Sequence, residues 1–82
     1  MSFSILNGSL ALPTRETVSA LSGLLTDGSA GVRAAAARAL GRFGWEARSA
    51  SYALTGALAD DDPGVRDSAA AALRKIKSVM KT

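Results

Sequence analysis

Apolar residues along this 82-residue chain recur every three or four positions, the spacing that lines one face of an α-helix. Val18, Leu21 and Leu25 mark a first face, Asp27-Gly28-Ser29 breaks it, and Val32, Ala36, Leu40 and Phe43 mark a second. The pattern then returns. Leu54 and Leu58 mark a third helix, Asp60-Asp61-Asp62 a turn, and Val65, Ala69, Leu73 and Ile76 a fourth helix. Asp62-Pro63 is the sharpest boundary: an aspartate accepts from the free N–H groups of a first turn, and proline at the first helical position has no N–H to leave unpaired. Ser29-Ala30 is its counterpart in the first half, and Gly44 ends the second helix before Trp45-Glu46 leads onward.

The two halves are copies of one unit. Sliding the chain by 33 positions aligns Arg15–Gly44 with Arg48–Lys77 without a gap, and 13 of 30 positions are identical. The identities include Leu21/Leu54, Gly23/Gly56, Asp27/Asp60, Val32/Val65, Arg33/Arg66 and Leu40/Leu73. A fixed period of this length marks a stack of helix pairs in which each pair buries its apolar face against the next. The expected fold is therefore all-α, an α-α superhelix or α-solenoid, with a leader at 1–12 and units at 13–46 and 47–82. Gly23 and Gly56 lie inside first helices at a cost of about 1 kcal/mol each relative to alanine. Their repetition predicts a close helix contact there. The leader does not fit the period: Phe3 and Ile5, Asn7-Gly8, then Leu10 and Leu12 fit either a minimal hairpin or an irregular segment covering the apolar end of the first unit. Thr14 or its neighbour caps the first helix.

Composition narrows the chemistry. Apolar residues are 48% of the chain, with 17 alanines among them, so the interior is thin and backbones approach closely. There is no Cys and no His, which removes disulfides, thiol nucleophiles, thiolate metal sites and the commonest general base. No nucleophile, base and orienting group can be assembled, and neither enzyme activity, a cofactor nor a metal is expected. Asp60, Asp61 and Asp62 carry enough charge for a hard cation, but lack EF-hand spacing and serve more simply as partners of a helix N-terminus. Arg74, Lys75, Lys77 and Lys81 complement the opposite helix end. The net charge of +3 allows an acidic partner without requiring one. With no apolar run near the roughly 18 residues that span a bilayer and no secretion signal, the expected location is cytoplasmic and away from membranes.

The runs Val32-Arg33-Ala34-Ala35-Ala36-Ala37-Arg38-Ala39-Leu40-Gly41 and Asp61-Asp62-Pro63-Gly64-Val65-Arg66-Asp67-Ser68-Ala69-Ala70-Ala71-Ala72-Leu73 resemble HEAT repeats. More narrowly they resemble the HEAT-like repeats of phycobilisome lyases, with Asp-x-Asp-Pro-x-Val-Arg-x-x-Ala-x-x-Ala-Leu-Gly as signature. The second unit departs from it at Arg74, where the family has Gly, and the first at Ala30, where it has Pro. The resemblance covers roughly residues 14 to 80. It implies a non-enzymatic protein-binding or scaffold module whose second helices line a concave docking face, with Ala34, Arg38, Arg42, Trp45, Arg74 and Lys75 among its residues. It also implies that Arg33 and Arg66 bond to Asp27 and Asp60 or to turn carbonyls of a neighbouring unit, forming a structural ladder. Trp45, the single Trp, is expected to be buried in the core or at an interface.

Two units leave two end faces where three or more are normally needed. Self-association is therefore expected, through Ile76, Val79 and Met80 at one end or Phe3 and Ile5 at the other, unless the chain belongs to a longer solenoid. Nucleic-acid binding through Arg38, Arg42, Arg74, Lys75 and Lys77 is the alternative, weakened by the acidic run and the few aromatics. Membership of a bilin-lyase-type complex rests on the resemblance alone.

Overall fold

The computed structural model describes the backbone of residues 14–80 and the side chains of residues 14–78. The leader, with Phe3 and Ile5, and the side chains of Val79 and Met80 lie outside the described residues. The described residues are helical throughout apart from short turns: α1 (Thr14–Leu24), α2 (Ala30–Phe43), a 3-10 helix (Gly44–Ala50), α3 (Ser51–Ala57) and α4 (Pro63–Met80). They form an all-α helical repeat in which α2 and α4 share the most extensive contact.

The same device starts both second helices. Ser29, with extended backbone, accepts the Val32 N–H on Oγ at 3.4 Å, and Asp62 accepts the Val65 N–H on Oδ2 at 3.0 Å. Two residues earlier in each turn the chain is folded by an aspartate. Asp27 Oδ2 accepts the Ser29 N–H at 2.9 Å, and Asp60 Oδ1 accepts the Asp62 N–H at 2.9 Å. These local bonds compete with continued helix and so break α1 from α2 and α3 from α4 at equivalent positions. At the other end of α2, Gly44 adopts φ 60°, the one positive φ among the described residues, and donates its N–H to the Gly41 carbonyl.

After Gly44 the chain tightens instead of looping. Residues 44–50 form a 3-10 helix, whose three-residue turn stacks Ala47 over Ala50, and both are buried. The first helix of the second unit is correspondingly short. Leu54 and Ala57 face the core, whereas Leu58, expected on that face, stands 40% exposed just past the end of α3.

The apolar stripes divide by unit. All four expected stripe residues of α4, Val65, Ala69, Leu73 and Ile76, are buried. On α2 only Ala36 and Leu40 are; Phe43 is half-buried, and Val32 is 37% exposed. The second unit has the first packed against it, while no described element packs on the far side of α2. Two expectations about exposure are corrected here. Ile76 has no exposed surface and belongs to the core, so it cannot carry an end-face contact. Ala34, placed on the docking face, is buried, because it lies two helical turns before Gly41 on the stripe turned to α4.

The expected close contact at Gly23 and Gly56 is also absent among the described residues: a Cβ built on either meets none of their atoms within 4 Å. Both stand near the C-terminal ends of their helices, away from the close approach of α2 and α4. The close approach is at Gly41, where a Cβ would sit 3.0 Å from Ala72 Cα and 3.2 Å from Ala72 Cβ. Gly41→Val therefore forces α2 and α4 apart and lowers stability by about 2 kcal/mol or more. Gly23→Ala and Gly56→Ala each raise it by about 0.5 kcal/mol through the unfolded state. Urea midpoints of the three variants check this; equal effects at all three positions would contradict it.

Candidate functional site

The residues with the most directional chemistry gather where the two inter-helix turns meet. Asp60 sits in the α3–α4 turn and Arg33 in the first turn of α2, so the turn chemistry that starts each helix also places these side chains. Arg33 Nε and Nη2 donate to Asp60 Oδ2 and Oδ1 at 2.9 and 3.0 Å, a two-pronged pair joining the units, and Nη1 donates to the Asp27 carbonyl at 2.8 Å. All three directions of the guanidinium are used. Such a planar fork fixes orientation as well as distance, which an ammonium on a flexible stem cannot do.

Arg66, its counterpart, makes half of this set. Its Nη1 donates to the Asp60 and Asp61 carbonyls at 2.7 and 3.1 Å, repeating the Arg33–Asp27 carbonyl bond, and the side chain is exposed. Asp27, the counterpart of Asp60, holds only the Ser29 N–H on its carboxylate among the described residues. Around these groups runs an open cleft of about 560 Å³ with Leu25, Ala53 and Ala57 on its floor and Asp27, Asp60 and Asp61 at its rim. Among the described residues no group of acids is arranged to hold a metal ion.

The Arg33 hydrogen bonds hold the Asp60 carboxyl below the ordinary carboxylate value, aided by the Asp62 N–H, and the same bond raises Arg33. A carboxyl whose folded value lies below its unfolded one contributes stability that is complete above the unfolded value and disappears as pH falls through the folded one.

The second cluster expected from the sequence is more dispersed. Arg38 and Arg42 on α2, and Arg74 and Lys75 on α4, are all exposed. The structure brings Lys75 to α2, its Cδ 3.5 Å from a Cβ built on Gly41. Arg42 borders a small apolar hollow with Ala39 and Phe43. Trp45 is 39% exposed, contrary to the expectation of burial, because the 3-10 turn directs it outward, where Arg48 covers its ring at 4.4 Å and donates to its carbonyl at 3.1 Å. Arg48 was not singled out by the sequence, although its spacing of three from Trp45 and its identity with Arg15 were both visible. Tyr52, 91% exposed on α3, left no signal.

Asp60→Asn keeps the turn's shape but removes the charge. Wild type should exceed this variant in urea midpoint at neutral pH, and the difference should shrink as pH drops below 3.8. A difference independent of pH would mean that the ion pair contributes nothing.

A family model described as HEAT repeats matches residues 8–74. No curated protein and no solved structure matches the chain. With the match spanning both helix pairs and the turns between them, the chain belongs to the HEAT repeat family.

Proposed function

We propose that this chain is a non-enzymatic scaffold module that binds a protein partner through its second helices. HEAT repeats generally mediate protein–protein interaction, and the observation that carries the reading here is the state of the basic side chains on α2 and α4. Arg38, Arg42, Arg74 and Lys75 are exposed and engage no acidic residue among those described. Arg38 and Arg42 are like charges one helical turn apart, an arrangement that costs a little in the free chain and is relieved by an anionic surface. An acidic protein segment is the matching partner. Trp45 with Arg48, at the end of α2, extends the face with an aromatic plane.

In this reading 1–12 is a leader, 13–46 and 47–82 are the two units, and Asp27, Arg33, Asp60 and Arg66 set the angle between units rather than touch the partner. The narrower assignment to the phycobilisome-lyase type rests on the motif from Asp60 to Leu73. Contacts between copies of the chain would fall to the leader residues Phe3 and Ile5 or to Val79 and Met80, since Ile76 is core. No described helix is long and apolar enough to cross a membrane, and we place the protein in the cytoplasm.

Arg38→Glu/Arg42→Glu should abolish capture of the protein's partner in affinity purification while leaving the melting temperature unchanged, because both side chains are exposed. Arg15→Glu, an exposed charge reversal on α1, should leave capture intact. Capture that survives the double reversal removes this face from the mechanism. If the captured species is nucleic acid, affinity should fall steeply with salt.

A further inference from the structure

The internal joint serves as a template for what each outer face can accept, because equivalent residues of the two units have opposite fates. On the side of α2 turned to α4, the joint needs small residues and an arginine: Ala34 and Gly41 are buried, and Arg33 reaches across to Asp60. The equivalent face of α4 keeps the arginine, as Arg66, but puts Asp67 and Arg74 where Ala34 and Gly41 stand, and both are exposed. A further unit docked there in the same way would bring its Ala39 to the place Ala72 occupies, 3.0 Å from a Cβ at the glycine position. Arg74 fills that space, and it would also face the Arg42 of a second copy.

The opposite face of the first unit carries no such obstacle. Val32 and Ala35 are exposed, while their equivalents in the second unit, Val65 and Ser68, are buried by the joint. Asp27 offers its carboxylate as Asp60 offers the one that takes Arg33, with the same backbone N–H already on it.

We propose that the α2 face bearing Asp27, Val32 and Ala35 is a docking site for another helical repeat, one presenting an arginine to Asp27 and alanine or glycine opposite Ala35 and Ala39. Continuity with the Arg33–Asp60 joint and the matching charge at Asp27 specify this occupant. Asp67 and Arg74 make the far face of α4 a cap, and so prevent the chain from stacking on its own copies. This proposal concerns the end of the stack; it shares Arg74 with the partner face on the second helices but does not rest on that reading, since its test reads mass and stability rather than capture.

The probe is this chain with its cap removed. Asp67→Ala/Arg74→Gly turns the far face of α4 into a copy of the one that α2 presents, with Arg66 in the role of Arg33. Sedimentation should show its average mass rising with concentration past that of a dimer, an increment absent from wild type and reversed by Asp27→Asn. If the variant keeps its helical circular dichroism but has the wild-type mass at every concentration, the Asp27 face is not an open joint, whether covered by the leader or unsuited to a repeat. An increment indifferent to Asp27→Asn, or wild type already stacking through Asp27, overturns the proposal as well. Should the glycine variant lose its helix, a chain with residues 14–46 repeated once after residue 46 supplies the second measurement. Its urea midpoint should rise above wild type, whereas a chain with residues 47–79 repeated after residue 79 should show no gain. Equal midpoints for the two extended chains would also overturn the proposal.

Discussion

Everything in this fold depends on how closely α2 and α4 approach at Gly41. With alanine as the main apolar residue, neither helix carries side chains long enough to interlock across a wide gap, so backbones must come near for dispersion and burial to act. Gly41 permits that on one side and Ala72 on the other, at a separation that leaves no room for one more carbon. Once this contact is set, Ala34 and Ala37 on α2 and Ala69, Ala72 and Ile76 on α4 are removed from water together. The rest of the core, including Leu54 from α3 and Ala47 and Ala50 from the 3-10 helix, completes the same cluster.

Packing among alanines has little directional preference, and smooth helix faces can slide or rotate at small cost. The Arg33 clamp supplies what the alanines lack. Its three bonds tie the first turn of α2 to its own preceding turn and to the turn of the next unit, and they are planar, short and partly sheltered. The clamp lies at the turn end of the helices while the Gly41 contact lies near the other end of α2, so two fixed points determine the angle between units. The turns are equally specified from within: Asp27 and Asp60 each close their own turn through one oxygen, and Asp60 offers both to Arg33. One aspartate thus couples local turn formation to the stacking of units.

Much of this is legible in the sequence. The period of 33, the helix starts at Ser29 and Asp62 and the stop at Gly44 follow from residue chemistry that acts over three or four positions, and the structure has them all. What periodicity does not encode is which side of a helix meets a neighbour. Val32 and Val65 are identical in sequence and opposite in exposure because, among the described residues, only Val65 has another unit packed on it. The glycines misled for a related reason: repetition at Gly23 and Gly56 pointed to a shared contact, while the contact that exists uses Gly41, whose equivalent is Arg74. A joint between two units is asymmetric, and a residue needed once on one side of it does not repeat. For the site, Arg33 and Asp60 were visible as repeated charges. The pairing of Trp45 with Arg48 was not, because it depends on a 3-10 turn where an ordinary linker was expected.

The departures from repetition are therefore as informative as the matches. Residues identical in both units, Arg33/Arg66 and Asp27/Asp60 among them, serve what every unit must do: cap, turn and offer a donor or acceptor to a neighbour. Residues that differ, Gly41/Arg74 and Ala34/Asp67, record what each unit has beside it. Placing a charged side chain where a joint requires a glycine blocks stacking by volume and leaves a face that water solvates well, the usual character of a terminal repeat. The second unit has such a face, whereas the first has Val32 and Ala35 in the open. Two halves built on one repeat thus differ in what they can accept, and the chain acquires a direction that its 33-residue period alone does not specify.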